Sequence, residues 1–204
     1  MGAKINEYPY EITSIGANDY FDVDSWNGAN YQSSKLSGNS LKTQVGNWVP
    51  QRVFGSFYDT TTQNCTSGTI TAMQTNNSDT WNNGVSVSND GIGNPSVYRV
   101  SKNGVYNVMF SAQLYRTSGG SAKTVTIWLK KNGVDVANTA TNVNVQANAG
   151  RLVAAWNFFI NIDTTDDLQI MWTQDDAIQL EYQTADGILP HPAVPSLIVT
   201  INEV

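Results

Sequence analysis

The sequence predicts an all-β protein, an antiparallel β-sandwich preceded by a short N-terminal arm. Three observations carry that expectation. Apolar and polar residues alternate with a period of two from Arg52 onward, the mark of half-buried strands. Asn, Ser and Thr supply 23, 17 and 20 of the 204 residues, and these types disfavour helix interiors and favour turns. No window of twelve or more residues carries a convincing helical stripe. An extended-helix protein is excluded.

Residues 1–50 read differently from the rest. They hold short apolar pieces at Ile12–Ile15 and Tyr20–Val23, a polar stretch at Gln32–Ser40, then Leu41–Val45 and a break at Gly46–Pro50. That is too little apolar surface for an independent core. The segment is expected to be an arm or small subdomain that needs a partner to settle, with residues 51–204 forming the head domain.

Within the head, Val53–Tyr58, Thr69–Gln74, Gly84–Val87 and Val97–Ser101 are the first, weaker strand candidates. Val105–Tyr115 is stronger: Tyr106, Val108, Phe110, Ala112 and Leu114 share one face, with Asn107, Met109, Ser111 and Gln113 on the other. Val125, Ile127 and Leu129 alternate with Thr124, Thr126 and Lys130. Asn132-Gly133 then supplies a tight hairpin turn before the weaker Val134–Val145. Leu152–Ile162 follows, then sets centred on Leu168/Ile170/Trp172, Ile178/Leu180/Tyr182 and Leu197/Val199/Ile201. About ten strands at this spacing suit a β-sandwich, most simply a jelly roll.

The Leu152–Ile162 strand is apolar on both faces, because Val153, Ala155 and Phe159 occupy the second one. A two-layer sandwich buries only one side of each sheet, so something else must cover them. Met109 on the neighbouring strand candidate belongs to the same patch. A subunit interface is the favoured cover, since monomers rarely expose large apolar patches. A loop or the N-terminal arm is the alternative.

Charge and motifs exclude several classes. A net charge of −6 and a pI near 4.5 argue against nucleic-acid binding. No run of 18 apolar residues exists, so no membrane insertion by a helix is expected. The opening MGAKINEYPYEI has no charged-then-apolar export leader. Arg151 is the last basic residue, and the final 53 residues carry eight acids. They are read first as solvated turns; no metal ligands are assigned, and Ca²⁺ is the one ion the acidic loops could attract. No other cofactor is expected.

Catalytic signatures are sparse, and the chain is not expected to be an enzyme. Cys65 and His191 are single, no G-x-S-x-G occurs, and His191 lies in a Pro-flanked loop. Thr117–Lys123 lacks the order of a phosphate loop and reads as a hairpin loop, while Gly91–Ser96 lacks the third glycine of a dinucleotide motif. Asp175, Asp176 and Glu181 keep an acid-dependent glycan hydrolase conceivable, though nothing places them across a cleft. Among the six Trp, Trp172 reads as core by alternation. Trp81 and Trp128 are the candidate contacts for a glycan, set against packing under loops or between subunits.

Two resemblances sharpen these expectations. Asn103-Gly104-Val105-Tyr106-Asn107-Val108-Met109-Phe110 resembles the G-x-Y-x-F strand of the C1q/tumour-necrosis-factor-like jelly roll. Phe54-Gly55-Ser56-Phe57 before it, Trp128–Gly133 after it and the Asp166-Asp167-Leu168-Gln169-Ile170 turn follow the same order, over roughly residues 52–204. Val108 stands where the pattern has Phe, and Asp166 replaces Gly. The segments Lys4–Pro9, Asp19–Val23, Ser34–Ser37 and Leu41-Lys42 resemble N-terminal segments of bacteriophage tail, fibre and head-fibre proteins.

The resemblances imply a virion protein made in the host bacterial cytoplasm: a homotrimeric fibre, spike or capsid-decorating knob. Its N-terminal arm would dock on other virion proteins, and its head would meet a host-surface glycan or receptor. In the resembled family the sheet holding the G-x-Y-x-F strand faces the threefold axis, which implies a trimer interface at Met109, Val153, Ala155 and Phe159. A bacterial carbohydrate-binding lectin or adhesin is the alternative reading.

Overall fold

Alternation of more and less buried side chains organises the strands at Phe54–Asp59, Gly104–Arg116 and Arg151–Ile162 of the computed structural model, which describes residues 17–26, 28–48, 52–185 and 190–204. The chain divides into two units, Met1–Gln51 and Arg52–Val204. The attachment motif Lys4–Pro9, the apolar piece Ile12–Ile15 and Asp186 lie outside the described residues.

In the first unit, β1 (Tyr20–Trp26) and β2 (Tyr31–Ser37) form an antiparallel hairpin, followed by α1 (Gly38–Trp48). The helix departs from the sequence expectation, and its local cause is legible. Ser37 is its N-cap: its Oγ accepts the Ser40 backbone N–H at 3.0 Å. Leu41, Val45 and Trp48 then recur at helical spacing, but the helix is only eleven residues long, too short to show a sustained stripe. Tyr20 and Tyr31 are exposed, as expected of a unit with little core of its own.

The second unit opens with β3 (Phe54–Asp59), β4 (Gln63–Asn64), β5 (Thr71–Ala72), β6 (Asn77–Ser78), β7 (Val85–Asn89) and β8 (Pro95–Val100). The long strands β9 (Gly104–Arg116) and β10 (Lys123–Lys131) come next, then β11 (Val134–Asp135), β12 (Thr141–Val145) and β13 (Arg151–Ile162). β14 (Leu168–Gln174), β15 (Ile178–Leu180) and β16 (Leu197–Glu203) end the order.

These strands make an antiparallel sandwich of two sheets. In the first, β12, β10, β14, β8 and β7 provide the main strands, with β11 beside β10 and β5 beside β14. In the second, β13, β9, β16 and β3 lie side by side, with β15 and β4 extending one end and β6 flanking β3. The principal pairs are nested: β3 with β16, β8 with β14, β9 with β13, β10 with β12. That is the pattern left when one long hairpin is rolled up, a jelly-roll arrangement.

The core lies between the sheets. Tyr106, Val108, Phe110, Ala112 and Leu114 of β9 meet Val125, Ile127, Leu129, Ile170 and Trp172 from the opposite sheet, all buried. Phe57 packs edge-on against Tyr98 at 5.4 Å. The Tyr98 hydroxyl reaches Thr75 Oγ1 at 3.0 Å, and burial pushes its pKa up.

The β10–β11 hairpin turns through Asn132-Gly133, with φ of 52° and 78°. Both signs are positive, as a two-residue turn matching strand twist requires. Thr117–Lys123 is a different matter. β9 and β10 belong to opposite sheets, so this segment is a crossover between the layers and not a hairpin loop.

Candidate functional site

Odd-numbered residues of β9 and β13 point away from the core, and with the even positions of β3 and β16 they make one continuous outer face. Register places Met109 opposite Asn157 on β13 and opposite Thr200 on β16. Ala155 and Phe159 flank Asn157, so they are diagonal neighbours of Met109 at roughly 7–8 Å. Val153 is the next outward residue. All four expected interface residues therefore share one exposed face, with Phe159 66% and Val153 53% exposed. Val105 and Ile198 extend the same surface.

The chemistry of this face is as informative as its apolarity. Its other positions carry Phe54 at the margin and otherwise Ser, Thr, Asn, Gln and Tyr, and Asn157 Nδ2 donates to Asn107 Oδ1 at 2.9 Å. The one charged outward residue is Arg151, at the end of β13, where Nε and Nη2 donate to Glu181 at 2.8 and 3.0 Å. The opposite sheet presents Arg99 paired with Asp167 at 2.5 Å and Lys130 beside Asp135 at 3.7 Å. One outer face is thus charged and the other almost free of charge. Among the described residues β13 pairs only with β9, so a twelve-residue edge is open to further pairing.

The two candidate sugar-stacking tryptophans differ. Trp81 is 59% exposed and leans on Phe54, ring centroids 5.9 Å apart. That places it at the margin of the uncharged face. Trp128 is only 8% exposed, and the part of it that shows lines a groove on the opposite sheet. It does point outward from β10, but Val136–Thr139 folds back over it. Thr139 Oγ1 anchors that loop, accepting Leu129 N–H at 3.1 Å and donating to Val136 O at 2.7 Å. The indole N–H donates to Asp135 Oδ1 at 2.8 Å.

Glu181 and Asp166 are engaged in structure. Arg151 holds the Glu181 carboxyl below the usual range, which unsuits it as a proton donor. Among the described residues no group of three or more His, Cys, Asp or Glu is placed to hold a metal ion. Asp166 is nearly buried and accepts from Asp163 N–H at 2.9 Å, Asn132 Nδ2 at 2.6 Å and Lys131 Nζ at 3.1 Å. Its pKa is lowered, first by the Asp163 amide, then by Asn132 and Lys131. The side chain thereby ties the loop before β14 to the Asn132-Gly133 turn.

Arg116 organises one end of the sandwich. Its buried guanidinium donates from Nη1 to Asp176 O, and Nη2 lies 3.5 Å from Asp176 Oδ2. Gly119 crosses directly over it with φ of 99°. A Cβ there would fall inside contact distance of Arg116 Nη2. Gly119→Ala is therefore expected to lower stability by about 1–3 kcal/mol, from left-handed strain plus displacement of the arginine. Urea unfolding checks this; an unchanged midpoint would contradict it.

No protein-family model matches the chain, and no curated protein shows significant sequence similarity to it. Sequence reasoning missed Val105 and Ile198 as members of the uncharged face, although their outward parity on alternating strands was the available signal.

Proposed function

We propose that the protein is a non-enzymatic structural protein of a bacteriophage particle: a homotrimeric C1q/TNF-like jelly-roll knob of fibre, spike or capsid-decoration type. The uncharged outer face of the β13-β9-β16-β3 sheet carries this reading. Interface centres are depleted of charge and enriched in aromatic residues and methionine. Met109, Phe159, Val153 and Ile198 fit that composition among neutral amides and hydroxyls. β9 carries the strand that resembles the C1q/TNF pattern, and it lies centrally in this sheet. A threefold axis facing the sheet would bury the patch in three copies at once.

The N-terminal unit is the docking element in this proposal, and the head displays its loops to a host-surface receptor. Light scattering on the purified chain, with and without chelator, tests the assembly state: a mass near three chains is expected, unaffected by chelator. A stable monomer would remove the knob. The described hydrophobic core belongs wholly to residues 52–204. Deleting residues 1–51 is therefore expected to leave a folded trimer that no longer joins particles, and particles retaining it would refute the docking role. A bacterial lectin or adhesin is the second reading, favoured by the exposed Trp81; it predicts sugar binding without particle association.

A further inference from the structure

The sheet turned away from the uncharged face carries a groove of about 480 Å³, within the size range of small-molecule sites. Its floor is the cross-strand pair Thr126 and Thr173 of β10 and β14. One wall is the Gly68–Ile70 loop, anchored where Gly68 N–H donates to Gln174 O at 2.9 Å. The other is the loop after β11, fixed to the floor by the Trp128–Asp135 hydrogen bond. A second depression of about 320 Å³ shares Gly68, Thr126 and Thr173 with the first, so the two adjoin.

We infer that this groove binds a neutral saccharide, which deepens the proposed function by naming the receptor's chemistry. The lining alternates the two surfaces a sugar presents. Ile70, more than half exposed, and Val136 offer apolar walls to the C–H face of a pyranose. Hydroxyl and carboxylate groups meet the ring hydroxyls. Thr126 Oγ1 donates to Asn142 Oδ1 at 2.7 Å, which keeps its lone pairs for accepting. Trp128 and Lys130 both engage Oδ1 of Asp135, leaving Oδ2 to accept from a ligand hydroxyl. No cationic side chain lines either depression while the acids Asp135 and Asp175 do, so an anionic sugar would meet like charge, offset at Asp135 alone by Lys130 3.7 Å away. In a trimer closed through the opposite sheet this flank faces outward, and three weak sites would act together.

Saturation-transfer NMR on the full-length protein tests the inference. The probes are glucose, galactose, mannose, N-acetylglucosamine and their short oligomers, with glucuronic and N-acetylneuraminic acid as anionic comparators. At least one neutral probe is expected to bind. Ile70→Arg and Thr173→Arg should each weaken it at least about tenfold, and Ile92→Asp, at the exposed turn between β7 and β8, should leave it unchanged. Circular dichroism on each variant guards against misfolding, and Ile70 is exposed enough to tolerate exchange. Silence from every neutral probe, binding of anionic probes alone, or binding indifferent to both groove variants would overturn the inference. Light scattering on the same samples separates the two proposals. A trimer that binds no neutral sugar defeats the groove and spares the knob; a monomer that binds one through Ile70 does the reverse.

Discussion

Phe159→Asp is expected to turn the proposed trimer into folded monomers. The side chain is 66% exposed in the isolated chain, so a carboxylate there meets solvent and the protomer keeps its fold. In the assembly the same carboxylate would sit in a face with no opposite charge except Arg151, already bound to Glu181. Desolvating an unpaired charge at an interface costs on the order of 2–4 kcal/mol, and a closed ring repeats that penalty at three contacts. Light scattering should report one chain in place of three, with an unchanged circular dichroism spectrum. Met109→Asp should act in the same direction. Ile92→Asp, at the exposed tip of the β7–β8 turn, is the control that should leave the mass alone. A Phe159→Asp protein that stays trimeric would move the interface elsewhere.

Asp166→Ala is expected to cause the largest loss of stability among single changes outside the core, about 2–3 kcal/mol. It removes the buried carboxylate that the Asp163 amide, the Asn132 side-chain amide and the Lys131 ammonium share, untying the loop before β14 from the Asn132-Gly133 turn. For a domain of this size the melting temperature should fall by about 5–10 °C. The pH dependence has a definite sign. A carboxyl whose folded pKa is depressed contributes stability that is present above its unfolded pKa, about 3.9, and lost as pH falls through the folded value. The wild-type melting temperature should thus hold from neutral pH to about pH 5 and drop below about pH 4. Asp166→Asn should flatten that acid limb, and an unaltered limb would assign the acid sensitivity to other carboxylates.

The long strands were legible because their alternation is strict. β9 reads as Val105–Tyr115 in the sequence and runs from Gly104 to Arg116 in the structure. The Asn132-Gly133 turn was legible because few other pairs tolerate two positive φ values in succession. Reading failed where partner and cover decide the outcome. Thr69–Gln74 pairs only at Thr71–Ala72. Val134–Val145 splits in two because Val136–Thr139 leaves the sheet to cover Trp128. Alternation correctly pointed Trp128 outward but carries no information about a loop folding back over it. The same limit applies to Thr117–Lys123, since nothing local says which layer a following strand will join. On the candidate interface, parity alone identified Val153, Ala155 and Phe159 as needing cover. The groove walls come from segments far apart in the chain, and only tertiary structure unites them.

The nested strand order has a consequence for synthesis. β16 lies between β9 and β3 and pairs with both, yet it is the last strand of its sheet to leave the ribosome. Until then β3 and β9 each lack a neighbour on that side, and the uncharged face they share has no flat sheet to rest on. Closing such long-range pairs is slow compared with local hairpins. The nascent head must therefore wait for β16 before it can present a complete face to a second copy in the proposed trimer.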